Sequence, residues 1–288
     1  MLTLVSPSKL NLFLEVLGRR PDGYHELDTV MLRTEFCDML SAAATSDGNV
    51  TLEFSTATPD ALTTGIPLDE RNLILRAANA FRNRYGIRTG ARFVLQKQIP
   101  PESGLGGGSG NAATALLACR EIFAVPAADS ELHELAASLG SDINFLLAGC
   151  RAAVCRGRGE QITPFRLPGQ LHFLAVRPPQ GNSTPAVFRQ TILPVECRSS
   201  APLTDALEHG RFNEIPRHCF NRLTAAACSL NPQMAELMQR LEWICRQPVW
   251  MSGSGSTVFT LCRNRQHMRE LQQTLLQRWK IRCWALTV

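Results

Sequence analysis

An α+β fold in two domains is predicted by three features of the 288-residue chain. The length is near two units of ~150 residues. Period-two stretches (Leu10, Leu12, Leu14, Val16; Val50, Leu52, Phe54) alternate with helical stripes such as Leu73, Ile74, Ala77, Ala78 and Phe81. Beyond Thr163 the texture changes, with prolines at 164, 168, 178, 179, 185 and 194, and a boundary near 165 divides the chain into domains 1–165 and 166–288. The composition, 44% apolar and 19% charged, is that of a globular protein and excludes a disordered tail.

In chain order, residues 2–5 and 10–17 read as two strands separated by Pro7. Arg19 to Gly23 is a turn, because proline presets φ and glycine accepts positive values. Residues 29–55 are β-rich, 72–85 form a helix and 93–95 a strand. A glycine-rich loop then leads into a helix over 111–123, followed by a second over 130–139 with Ser130 as N-cap and Gly140 as stop. The second half offers a strand over 171–176 in a turn-rich region. Helices near 203–209, 219–228, 232–246 and 266–278 then alternate with strands near 248–251, 256–262 and 281–287. That order suits helices laid on an antiparallel sheet.

The formal charge is +5 and no basic run reaches five residues, so no nucleic-acid footprint is present; a phosphorylated small molecule suits such a charge equally well. Ten cysteines include no Cys-x-x-Cys pair, which argues against zinc. Their apolar surroundings predict reduced thiols and a cytoplasmic setting. Residues 1–20 resemble neither a signal peptide nor a membrane span. Only three of the 30 basic side chains are lysines, at 9, 97 and 280, so each raises the question of why a compact ammonium stands there.

The sharpest segment is Pro100-Pro101-Glu102-Ser103-Gly104-Leu105-Gly106-Gly107-Gly108-Ser109-Gly110, directly before a helix. Glycines let successive N–H groups converge, and the helix adds unsatisfied donors and a positive dipole end, so the segment is a candidate phosphate cradle. It lacks the Gly-Lys-Ser/Thr ending of a Walker loop and is not a Rossmann turn. A flexible hinge is the plainer alternative, disfavoured by the helix that follows at once. Lys97 enters the loop from its strand; it could meet a nucleotide, or equally be a solvated strand-end lysine. Asp142, after Gly140, reads by itself as a turn or N-cap residue.

Five segments occur in one order: Pro7-Ser-Lys9-Leu-Asn11, Arg19-Arg-Pro-Asp-Gly-Tyr24-His25, the loop 100–111, Gly140-Ser-Asp142, and Gly253-Ser-Gly255-Ser. Together they resemble the GHMP kinases across essentially the whole chain. The Tyr-His motif with Lys9-x-Asn11 is similar to the branch that phosphorylates a cytidine-diphosphate-linked sugar alcohol in isoprenoid precursor synthesis. The resemblance implies an N-terminal domain like that of ribosomal protein S5, a ferredoxin-like C-terminal domain, and ATP with magnesium as cofactors. It also implies phosphorylation of the substrate's 2-hydroxyl, with Lys9 and Asp142 at the transfer site. Residues 100–110 would hold ATP. Asn11, Tyr24, His25, Thr184, Pro185 and Phe188 would hold the substrate, its cytosine stacked on an aromatic ring and hydrogen-bonded by the imidazole. The magnesium ligands are not implied. Another kinase of the superfamily, acting on homoserine, a mevalonate derivative or a sugar, and a nucleotide-binding module without catalysis remain open. Two residues depart from the family pattern: Gly110 stands where a second serine is usual, and Asn144 where a proline follows the aspartate.

Overall fold

A computed structural model describes all residues from Met1 to Val288. Its contacts gather the chain into two compact units that interleave in sequence: Met1–Ser8, Phe36–Pro101 and Gly106–Gly149 form the first, and Lys9–Glu35, Glu102–Leu105 and Cys150–Val288 the second. The long strands β1 (Leu2–Arg19) and β2 (His25–Thr45) contribute to both. The expected break at Pro7 is absent, and β1 is one strand. Extended backbone suits the fixed φ of proline, and its missing N–H is tolerated where a strand has a neighbour on one side only. The sequence boundary near 165 falls between two strands of the second unit and stands as a proposal about domain organisation.

In the first unit β3 (Val50–Phe54) runs parallel to β4 (Gly90–Gln96), which pairs antiparallel with Met39–Thr45 of β2. A short 3-10 turn at Asp60–Leu62 precedes α1 (Leu73–Tyr85). This helix is specified locally: the Asn72 side chain accepts from the Ile74 N–H at 2.9 Å, and Gly86 ends it at φ 63°. Its buried stripe packs on α2 (Gly107–Ile122), which also touches α3 (Asp129–Leu139) and α4 (Ser141–Ala148). Two starts differ from expectation. Helix α2 begins at Gly107, four residues early, so the second half of the glycine loop is its first turn. Helix α3 begins at Asp129, because Glu131 at its third position accepts from the Ala128 N–H at 2.9 Å, a stronger anchor than a Ser130 hydroxyl.

In the second unit Leu27–Leu32 of β2 pairs antiparallel with β5 (Ala152–Gly157), which pairs with β6 (Gln161–Pro164). After β7 (His172–Val176) come α5 (Thr184–Gln190), α6 (Ala201–Glu208) and α7 (Ile215–His218). Strand β8 (Phe220–Asn221) lies parallel to β1 at Phe13 and Leu14. There follow α8 (Thr224–Leu230), α9 (Pro232–Cys245), β9 (Trp250–Met251), β10 (Val258–Cys262), α10 (Arg265–Trp279) and β11 (Cys283–Thr287). A four-stranded antiparallel sheet in the order β11-β7-β10-β9 carries the core. Leu174, Val176, Met251 and Val258 pack there with Val187 of α5, Met234 and Leu241 of α9, and Met268 and Leu275 of α10. Pro185 sits in the first turn of α5, where proline starts a helix rather than ending one; a proline-rich region expected to hold turns around one strand therefore also holds a helix. No helix is long and apolar enough to cross a membrane.

Candidate active site

The first unit supplies a candidate anion cradle of backbone N–H groups. Gly106 precedes α2 at φ 70°, a left-handed value that glycine adopts freely. The first intrahelical bond is Gly110 N–H to Gly106 carbonyl at 2.8 Å. The N–H groups of Gly107, Gly108 and Ser109 therefore precede the helical ladder, and no side chain caps them. Such donors at the positive end of a helix dipole favour phosphate. Gly110 has a different role from the usual serine: a Cβ there would lie 2.4 Å from the Pro7 carbonyl oxygen and 3.1 Å from Ser6 Oγ, so β1 approaches α2 too closely for a side chain.

Beneath this turn, Lys97 is 3% exposed and its Nζ lies 2.5 Å from Asp38 Oδ2. It is not a solvated strand-end lysine. Asp38, fully buried, was missed by sequence reasoning; the signal was a lone carboxylate inside the apolar strand Phe36-Cys37-Asp38-Met39-Leu40. Asp142 lies in the first turn of α4, half-buried, rather than in a loop. Two residues on, Asn144 is buried and its Oδ1 lies 2.9 Å from His133 Nδ1 of α3. Where a proline is usual, a hydrogen bond between helices fixes this turn.

The second unit holds Lys9. As residues i and i+2 of one strand, Lys9 and Asn11 share a face. Both are 2% exposed, with Lys9 Nζ donating to Asn11 Oδ1 at 2.5 Å. The Asn11 amide group donates to Thr29 Oγ1 at 2.9 Å, and its backbone N–H to Ser252 Oγ at 3.2 Å. Ser252 Oγ donates in turn to the Gly104 carbonyl at 2.9 Å, and the Thr257 N–H to the Ser103 carbonyl at 3.0 Å. The turn 252–257 thus packs on the entry of the glycine loop. Gly104 must be glycine, since a Cβ would meet the Ser252 carbonyl at 2.3 Å. Gly253, at φ 58°, leaves a gap of 3.0 Å between Lys9 Nζ and the place a Cβ would take.

From the same turn the contacts continue to the aromatic residues. Ser254 Oγ lies 2.7 Å from Thr184 Oγ1, and its carbonyl accepts from Asn182 Nδ2 at 3.1 Å. Pro185 and Phe188 follow on α5, and the Phe188 ring lies 5.1 Å from the His25 ring, tilted by 31°. Burial first, and the nearby Arg19 second, push the His25 imidazole below its ordinary range, which keeps it neutral at pH 7. Tyr24 is 54% exposed, with the Arg158 guanidinium 4.9 Å from its ring centroid; Arg158, Asn182 and Ser252 were not singled out from sequence. The turn before Tyr24 is fixed by Asp22, which accepts from the Tyr24 N–H at 3.1 Å.

Comparison with known proteins follows this geometry. Residues 72–149 match the model of the GHMP kinases N terminal domain, and residues 203–281 that of the GHMP kinases C terminal. Fold and site therefore define a kinase of the GHMP class. A solved structure of 4-(cytidine 5'-diphospho)-2C-methyl-D-erythritol kinase superposes with a TM-score of 0.79 at 32% identity, covering 99% of this chain and 98% of the other. A homoserine kinase from Cytophaga hutchinsonii shares the fold, with a TM-score of 0.72 at 15% identity and coverage of 99% and 93%. In sequence the chain is similar to the 4-diphosphocytidyl-2-C-methyl-D-erythritol kinase of Shouchella clausii (strain KSM-K16), 32% identical with 95% of this chain and 90% of the relative covered. That of Paracidovorax citrulli (strain AAC00-1) is 38% identical, with 89% and 85% covered. The chain belongs to the 4-diphosphocytidyl-2-C-methyl-D-erythritol kinase family.

Proposed function

We propose that the chain transfers the γ-phosphoryl group of ATP to the 2-hydroxyl of 4-diphosphocytidyl-2-C-methyl-D-erythritol. One observation carries this reading beyond family membership: an unbroken series of contacts in the second unit, from Lys9 and Asn11 through Ser252 and Ser254 to Thr184, Phe188 and His25. It fits a substrate with its reacting alcohol at one end and a cytosine at the other. Neutral His25 serves the cytosine edge and the rings of Phe188 and Tyr24 its faces. Asn11 orients the polyol.

In the transfer the hydroxyl oxygen attacks the γ-phosphorus in line, the bond to the bridging oxygen of ADP breaks, and the proton passes to the Asp142 carboxylate. The Lys9 ammonium stabilises the negative charge that develops on the attacking oxygen. Backbone donors of residues 107–109 hold the phosphates. Nowhere does the chain assemble three carboxylate, imidazole or thiol groups. This fits magnesium carried by the nucleotide phosphates with one or two protein oxygens, such as the half-buried Ser109 hydroxyl, rather than by a protein cage. When bound, the cation would neutralise phosphate charge. The cysteine chemistry supports a cytoplasmic location. A substrate panel tests the proposal: with ATP, the cytidylyl substrate is turned over while homoserine and mevalonate are not, and equal turnover of either would overturn it.

A further inference from the structure

We propose that Asp38 is a positioning residue for ATP, a single buried carboxylate that fastens both ends of the phosphate loop. This rests on the assignment of residues 100–110 to the nucleotide. On the entry side Asp38 Oδ1 accepts from the backbone N–H groups of Gln98 at 2.7 Å and Ile99 at 2.9 Å. On the exit side Oδ2 accepts from the Asn111 amide of α2 at 2.9 Å, and that same amide reaches Ser6 Oγ at 2.8 Å. Lys97 Nζ neutralises Oδ2 at 2.5 Å, with side-chain exposures of 3% for the lysine and 0% for the aspartate. The carboxylate thus holds four donors from two places in the sequence, and every donor but the Asn111 amide belongs to residues 97–99.

The loop between these ends contains the glycines that give the backbone its freedom, and that freedom must be removed before the N–H groups can converge on phosphate. Pinning both ends to one carboxylate does this before the ligand arrives. Packing supports the same role. A Cβ on Gly107 would stand 2.9 Å from Ile99 Cγ2 and 3.2 Å from Lys97 Nζ, so the first turn of α2 rests directly on the residues that Asp38 orients. The Lys97 Nζ charge is matched by Asp38, which makes the lysine a partner of the fastener; its ammonium is held beneath the loop rather than presented to solvent. Burial of such a pair is weak evidence for stability alone, since buried ion pairs are often replaceable by apolar groups without loss. A role in placing the loop explains why this one carboxylate collects its donors there.

The test separates placement from folding. Asp38→Asn keeps an acceptor for Gln98 and Ile99 but turns an amide toward Asn111 and leaves Lys97 unpaired. The double variant Asp38→Asn with Lys97→Met removes the unpaired charge as well. Melting temperature, kcat, KM for each substrate, and ATP affinity by calorimetry are measured for both. The double variant is expected to melt above Asp38→Asn, yet to bind ATP at least tenfold more weakly than the parent, with kcat at saturating ATP within threefold and KM for the cytidylyl substrate unchanged. Parental ATP affinity in the double variant, or ATP affinity that recovers in step with melting temperature, overturns the proposal. Gly108→Asp serves as the control, because a side chain there meets only Leu73, at 3.7 Å. If that negative charge leaves ATP affinity intact, the loop does not hold phosphates and the underlying assignment fails; if it abolishes binding while the double variant binds normally, only the role of Asp38 fails.

Discussion

Restoring the serine usual in this family at position 110 is expected to destabilise this chain. A Cβ at Gly110 would stand 2.4 Å from the Pro7 carbonyl oxygen and 3.1 Å from Ser6 Oγ. An ordinary contact needs about 1 Å more, and the obstacle is backbone on β1 rather than the movable end of a side chain. Overpacking of this kind costs about 1–3 kcal/mol, and the better helix propensity of serine offsets roughly 0.5 kcal/mol of it. The net loss of about 1–2 kcal/mol corresponds to a fall in melting temperature of roughly 2–8 °C at this size. Gly108→Ala is the matched comparison: it meets nothing closer than 3.7 Å and takes no positive φ, so propensity alone acts and the variant gains up to about 1 kcal/mol. Thermal melts and urea midpoints on the two variants decide the matter. Gly110→Ser melting at or above the parent, or losing no more than Gly108→Ala gains, would refute the close-approach explanation.

Lys9→Arg keeps the charge, but the head group is buried, 2% exposed, with Nζ donating to Asn11 Oδ1 at 2.5 Å, and a larger planar guanidinium fits such a site poorly; kcat should fall by about 10²-fold with ATP affinity, read by calorimetry, unchanged. His25 titrates below its ordinary value because burial and then Arg19 disfavour the cation, so KM for the cytidylyl substrate should stay flat from pH 8 to 7 and rise only as pH falls below about 6.5, a rise that Tyr24→Ala should not abolish. Burial would raise the Glu15 carboxyl, but the Arg222 side chain and the N–H groups of Arg198 and Val16 outweigh it and hold it below the ordinary range. Its stabilisation is therefore present above the unfolded value of about 4.3 and is lost as pH falls through the lower folded value. Glu15→Gln should cost about 3 kcal/mol at pH 7 and flatten the stability profile below pH 5 in urea titrations.

The sequence made some of this legible and hid the rest for physical reasons. Helix α1 could be read from Asn72, its apolar stripe and Gly86, because all its signals are local. The same holds for the glycine loop, whose composition and following helix are local signals. The first turn of α2 was placed too late, since glycine has poor helix propensity and only tertiary packing against Ile99 and Pro7 makes that turn helical. Pro185 was misread as turn chemistry because proline looks alike before and inside the first helical turn. Lys9, Asn11, Tyr24 and His25 were singled out as candidates through their motifs. Asp38 was not, because its meaning lies in donors 60 and 73 residues away. Ser252 likewise acquires a role only when a turn near the C-terminus meets Asn11, 241 residues earlier.

The central claim is phosphoryl transfer to one particular hydroxyl, and locating the transferred phosphate tests it most directly. Purified protein is incubated with ATP and 4-diphosphocytidyl-2-C-methyl-D-erythritol, and the product is examined by mass spectrometry and by phosphorus–carbon coupling in NMR. One ADP should form per product molecule, with the new phosphate coupled to C2 of the methylerythritol and the diphosphate intact. A phosphate on any other oxygen, or no transfer from folded protein that binds ATP, would contradict the account.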